Sequence, residues 1–137
     1  MSSTGNSLVK AVVMVKRKKG ISFEDFDKYW AGEHSSLVCN IPLFREKILK
    51  YNQLHLDLPR MQFAAENGVP VCNDFDGIGE VYAKSYQDLR DFFESDVYKN
   101  IVEPDERKFV EKHECKRFFV YDEVHYDAND ASILKTS

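Results

Sequence analysis

The apolar positions change period several times along the chain, and each change marks an element. Leu8 to Lys16 reads "LVKAVVMVK", β-branched and bounded by polar residues, which predicts a strand. "RKKG" then turns the chain. Ser22 followed by Asp25 has the spacing of a capping box, so a helix is predicted from about Phe23 to about Cys39, where Ile41-Pro42 breaks it. A second strand is predicted over Ile48 to Asp57. Leu58 to Gly77 shows no clear period and is long for a loop in a compact domain; Met61, Phe63 and Val71 within it predict a packed, mobile lid that closes over a ligand. The glycines of "DGIGE", Asp76 to Glu80, read as a turn. A third strand follows over Ile78 to Ser85. Ser85 and Asp88 repeat the capping spacing ahead of a helix reaching Phe93, and Pro104 suits the first position of another short helix. The last strand is predicted over Cys115 to Tyr126.

The predicted order is β-α-β-β-α-β, the ferredoxin-like arrangement of the α+β class, with a four-stranded antiparallel sheet. An internal repeat supports it. "SFEDFDKYW" from Ser22 and "SYQDLRDFF" from Ser85 match position by position in residue type. Helices would cover one sheet face. The other face then needs a partner, and a homodimer packed sheet to sheet, a dimeric α+β barrel, would supply it. The expected organisation is one domain over residues 8–126 with polar tails over 1–7 and 127–137.

Composition narrows the classes. A chain of 137 residues with 43% hydrophobic content is expected to fold as one domain. Ten Phe, seven Tyr and one Trp exceed what a core of this size needs, which points to a flat aromatic ligand or a large interface as well as to packing. The net charge of -4 and a single basic run, "KRKK" at Lys16 to Lys19, exclude a nucleic-acid footprint. Cys39, Cys72 and Cys115 are odd in number and form no CxxC pair, so free thiols in a reducing compartment are expected, with no disulfide framework or zinc site. The N-terminus lacks the apolar core of a signal peptide, and no run approaches the ~20 apolar residues of a membrane span. A cytoplasmic protein without nucleic-acid or membrane partners is the expectation. No G-x-G-x-x-G, Walker-type, H-E-x-x-H or G-x-S-x-G motif occurs, so no cofactor is expected.

The candidate chemistry lies on the first helix. Measured from Trp30, His34 lies about 40° round the helix and Phe23 and Leu37 about 20° to either side, so His34 sits in the middle of the apolar stripe. A buried imidazole needs a partner. It is either a core histidine bonded to a carbonyl or an acid/base group on the wall of a cavity between helix and sheet. By strand alternation Tyr51, Gln53, His55 and Asp57 share one face, and Asp76, Ile78, Glu80 and Tyr82 share one face. His55 and Glu80, on neighbouring strands, would orient each other or a ligand. His113 and His125 are expected at the surface.

"VKRKKGISFEDFDKYWAGEHSSLV", "DGIGEVY" and "PDERKFV" resemble the EthD family of dimeric α+β barrel proteins. The matching positions are Lys16, Arg17, Gly20, Ser22, Phe26, Trp30, His34, Leu37 and Val38, then Asp76, Gly77, Asp105, Glu106 and Phe109. Within the family the chain looks most like fungal tpcK-type polyketide decarboxylases, although it carries "HSSL" where a proline commonly follows the histidine. The resemblance implies a cofactor-free lyase that decarboxylates an anthrone-type carboxylic acid such as atrochrysone carboxylic acid. On this reading His34 stabilises and protonates the developing enolate, with His55 and Glu80 as further catalytic candidates. Glu80 or Asp76 would set the tautomer of His34. Phe23, Trp30, Tyr51 and Tyr82 would wall the substrate, and Lys16 would attract its carboxylate. Dehydration, cofactor-free oxygenation of an anthrone, and a non-catalytic binding role are the other readings.

Overall fold

A computed structural model describes residues 8–130. The polar tail expected over 1–7, and residues 131–137 of the one expected over 127–137, lie outside the described residues. Strands β1 (Val9–Val15), β2 (Lys50–His55), β3 (Gly77–Ala83) and β4 (Lys116–Val120) form one sheet in the order β2-β3-β1-β4, with every neighbouring pair antiparallel. The expected β-α-β-β-α-β order and α+β class hold. β4 is shorter than Cys115 to Tyr126, and all five of its residues are exposed.

The first helix runs without a break in its helical backbone as α1 (Phe23–Tyr29), a π turn (Trp30–His34) and α2 (Ser35–Cys39). The Ser22 hydroxyl caps it by accepting from Asp25 N at 3.0 Å. Proline at Pro42 ends that helix but also opens a new one, α3 (Pro42–Lys47), because a proline at the first helical position gives up no intrahelical bond.

Leu58 to Gly77 departs from expectation. It opens with helix α4 (Leu58–Glu66), capped by Asp57, and no residue of α4 is buried. Phe63 is 68% exposed. The segment is therefore not a packed lid, and none of residues 58–76 lines the main cavity.

In the second half, Ser85 caps α5 (Tyr86–Phe93) by accepting from Asp88 N at 3.1 Å. A second π turn (Tyr98–Val102) leads into α6 (Glu103–Glu106). A 3₁₀ turn (Lys112–Glu114) precedes β4.

Two clusters make the core. The larger gathers Ala11, Val38, Phe44, Val81, Leu89, Phe92 and Val102; the smaller gathers Val15, Phe26, Trp30 and Phe109. All face the helical side of the sheet. The two glycines of "DGIGE" are strand residues of β3 rather than a turn. A Cβ at Gly77 would stand 2.5 Å from the Trp30 ring, so the absent side chain makes room for the indole.

Candidate functional site

A cavity of about 520 Å³ lies between the sheet and the helices, within the size range of small-molecule pockets. Its walls are mostly apolar. Val13, Val15 and Val81 rise from the sheet, Trp30, Phe44, Phe92, Phe93 and Phe109 close over them, and Phe119 and Tyr86 stand together with ring centroids 5.3 Å apart.

His34 lines this wall among the aromatic rings and is 5% exposed. Its Nδ1 lies 2.8 Å from Asp105 Oδ2. The Tyr29 hydroxyl donates to Asp105 Oδ1 at 2.5 Å, and Lys108 Nζ lies 3.4 Å from the same oxygen. Burial pushes the Asp105 carboxyl up, but the hydrogen bonds from Tyr29 and His34 outweigh it and hold the group below its ordinary range. An ionised carboxylate only accepts, so Nδ1 of His34 carries a proton. Nε2 has no hydrogen-bond partner among the described residues. Since no buried side-chain nitrogen or oxygen there lacks a partner, Nε2 is accessible, on a residue that lines the cavity. The Phe109 ring, 4.9 Å away, fixes the imidazole edge-on.

Both π turns serve this arrangement. A π turn holds more residues per turn than an α-helix and leaves carbonyls in need of donors. Gln53 Nε2 donates to Trp30 O at 2.9 Å, and the Ser35 hydroxyl donates to Ala31 O at 2.6 Å. The second π turn supplies Tyr98 and Val102 to the same cavity. The Tyr98 hydroxyl donates to Glu106 Oε1 at 2.6 Å and accepts from Lys112 Nζ at 2.9 Å. Burial and then the Glu106 charge raise the phenol far above its ordinary value, so Tyr98 stays neutral. Asp105 and Glu106, consecutive in sequence, thus serve different groups around one cavity.

The sequence candidates divide. His34, Trp30 and Tyr51 line the cavity together. Burial pushes the Tyr51 phenol up to about 12. His55 is on the helical side but outside the cavity. Its Nδ1 is taken by Asp27 at 2.6 Å and its Nε2 by Gln53 at 3.0 Å, so neither nitrogen is left for a substrate.

Glu80 and Tyr82 are on the opposite sheet face. Glu80 pairs in register with Asn52 and Val12, not with the row of Tyr51, Gln53 and His55, so His55 and Glu80 cannot orient each other. Glu80 instead meets Lys10 Nζ at 3.1 Å, and Tyr82 lies beneath Lys10 and Lys50. Asp76 accepts from Arg17 N at 2.8 Å and pairs with its guanidinium. Lys16 donates to Asp74 O at 3.1 Å at an exposed position. Phe23 packs on Phe26 outside the cavity.

The partner of His34 is therefore Asp105, not Glu80 or Asp76. Asp105 was missed because 71 residues separate it from His34 and the short α6 carries no period. His113 and His125 are exposed, as expected, beside glutamates. The three cysteines are free, and no group of His, Cys, Asp and Glu suited to a metal occurs among the described residues. No helix of the described residues is long and apolar enough to cross a membrane.

The model of the EthD domain matches residues 18–113, spanning His34, Asp105 and the two strands between them, β2 and β3. This chain belongs to the EthD family. Among solved structures, an ethyl tert-butyl ether d (EthD) family protein from Bacillus halodurans is similar at 18% identity and a TM-score of 0.56, covering 85% of this chain and 98% of that one. A dimeric ferredoxin-like protein of unknown function from Thermobifida fusca is similar at 10% identity and a TM-score of 0.53, with coverage of 86% and 92%. A dimeric protein with a ferredoxin-like fold from Bacteroides fragilis gives 13% identity and 0.53, covering 85% of this chain and 96% of that one. At these identities the EthD-family chain shares a fold with them, and that alone. No curated protein sequence matches it.

Proposed function

We propose that this EthD-family protein is a cofactor-free lyase that removes carbon dioxide from a flat aromatic carboxylic acid of the polyketide type. The observation that carries the proposal is the His34–Asp105 pair, with one imidazole nitrogen anchored and the other without a partner among the described residues, on a residue that lines the cavity. The aromatic walls would hold a flat ring system and exclude water. As the carbon–carbon bond to the carboxylate breaks, its electron pair moves into the ring system as an enolate or phenolate. Doubly protonated His34 then delivers the Nε2 proton to the carbon left behind and regains one from solvent, while Asp105 holds the ring in place and balances its charge. Carbon dioxide and the protonated arene leave.

The proposed assembly is a homodimer joined through the open sheet face. Val12, Met14, Ile78, Leu54 and Phe118 lie on that face by register, and Leu54 and Phe118 are exposed. The Bacteroides and Thermobifida proteins of the same fold are described as dimeric. An interface of this kind would bury on the order of 2,000 Å². Light scattering is expected to give twice the 15.9 kDa chain mass at micromolar concentration, and a stable monomer would contradict it.

The test of the reaction is incubation with a panel of anthrone-type carboxylic acids followed by mass analysis. Loss of carbon dioxide is the expected result. Loss of water would make the protein a dehydratase, and uptake of oxygen with a matching mass gain would make it an oxygenase. Tight binding without turnover across the panel would leave a binding protein.

A further inference from the structure

Four cations border the cavity: Arg90, Lys112, Lys116 and Arg117. Two of them are committed. Arg90 pairs with Glu94 at 2.9 Å, and Lys112 bonds Glu106 and the Tyr98 hydroxyl. Lys116 faces Met14 in the β1–β4 register, which puts its side chain on the outward face of the sheet with Phe118 and Val120. Arg117 faces Val13, so its side chain rises on the helical side, the side of His34. Arg117 has no ion pair or hydrogen bond among the described residues, although Glu94, Glu103 and Glu106 border the same space; Glu94 and Glu106 already bond Arg90 and Lys112, and Glu103 lies within 4 Å of Arg107 and Lys112. Tyr98 lines the same cavity as Arg117.

Arg117 is exposed at the edge of the cavity, and with the nearby carboxylates bound elsewhere its guanidinium is a fork with no protein acceptor among the described residues. Arginine presents paired N–H groups that match the two oxygens of a carboxylate. We infer that Arg117 is the anion-recognition residue of the cavity, holding a carboxylate of an aromatic ligand by a two-point contact while the ring system lies between β1 and Phe109 with one edge toward His34. This rests on the lyase reading for which ligand is turned over, but the charge selectivity itself does not need turnover. It also assigns to Arg117 the task expected of Lys16, which points away from the cavity to Asp74.

The experiment is direct binding of a fluorescent anthracene carboxylate and the matching uncharged anthracene carboxamide to the parent, Arg117→Met, Arg117→Lys and Lys116→Met. The parent is expected to prefer the carboxylate. Arg117→Met should weaken carboxylate binding by roughly 10- to 100-fold, the worth of a charge-assisted contact, and leave the carboxamide within about twofold. Arg117→Lys should fall between, since lysine keeps the charge and loses the fork, and Lys116→Met should match the parent. Equal carboxylate binding by parent and Arg117→Met would overturn the assignment. So would a parent without charge preference, or the same loss in Lys116→Met. Charge-selective binding lost in Arg117→Met, with no carbon dioxide released from any acid by the parent, would instead overturn the lyase reading and leave the anion site standing.

Discussion

Ser22 and Ser85 open their helices in the same way, each hydroxyl accepting from the backbone N–H three residues on, and Phe26 and Leu89 at matching positions are both fully buried. Beyond that the two halves diverge. The first helix passes through Trp30–His34 as a π turn and continues to Cys39. The second stops at Glu94, where the Ser95 hydroxyl donates to Phe92 O and accepts from Tyr98 N, and the chain restarts through its own π turn into α6. The shared part of the repeat builds the fold. The unshared part builds the site, because the break after Glu94 returns the chain so that Asp105 reaches His34.

The largest effect is expected where the halves meet. Asp105→Asn keeps the shape but replaces an acceptor-only group with an amide that can present N–H to Nδ1. Turnover should fall by roughly 10²- to 10⁴-fold, within the share of a positioned acid/base, while the fold is kept. A variant with parental turnover would detach the second half from the chemistry. Next is Gly77→Ala, which drives a methyl group into the Trp30 ring and should cost roughly 1–3 kcal/mol in denaturant unfolding. The same change at Gly79, whose Cβ would stand 3.9 Å from the indole, should cost much less.

The Tyr29–Asp105–His34 group also sets a pH dependence. Asp105 titrates below its ordinary range in the folded state, so its contribution is present above the unfolded carboxyl value of about 3.9 and is lost as pH falls through the folded one. Acid unfolding of Asp105→Asn should therefore lack that component. Burial and then Asp105 push the Tyr29 phenol up to about 12, so its contribution is present below about pH 10 and is lost as pH rises toward 12. Tyr29→Phe should flatten the alkaline limb of the stability curve; an unchanged limb would remove Tyr29 from the group. Smallest of all, Ser22→Ala and Ser85→Ala should each cost about 1 kcal/mol with turnover unchanged, since both serve only the shared part of the repeat.

The division between halves also explains what the sequence made legible. Caps, strand alternation and the apolar stripe act over a few residues, so both Ser-capped helices, the four strands and the buried place of His34 could be read directly. Register is a relation between strands, and alternation within each strand leaves open which row faces the helices. That is why Glu80 and Tyr82 were grouped with His55, although the pairing of Asn52 with Glu80 puts them on the other side. Asp105 lies in a four-residue helix set by a π turn, and neither leaves a period to detect. The one available signal was its place in the "PDERKFV" segment of the EthD resemblance. The α4 segment differs from expectation because Leu58 and Phe63 face solvent and none of its residues is buried, so its apolar residues imitate a packed lid without providing one.

The central claim is that His34 is buried to act on a ligand and not only to pack, and His34→Gln tests it most directly. Denaturation midpoint and turnover are measured on one preparation. Glutamine keeps a hydrogen-bonding group of similar reach toward Asp105, so the midpoint should stay near that of the parent while turnover falls by roughly 10²- to 10⁴-fold. A variant destabilised by about 1–3 kcal/mol, as when a buried partner goes unpaired, yet fully active per folded molecule, would contradict the account and leave His34 as a structural histidine.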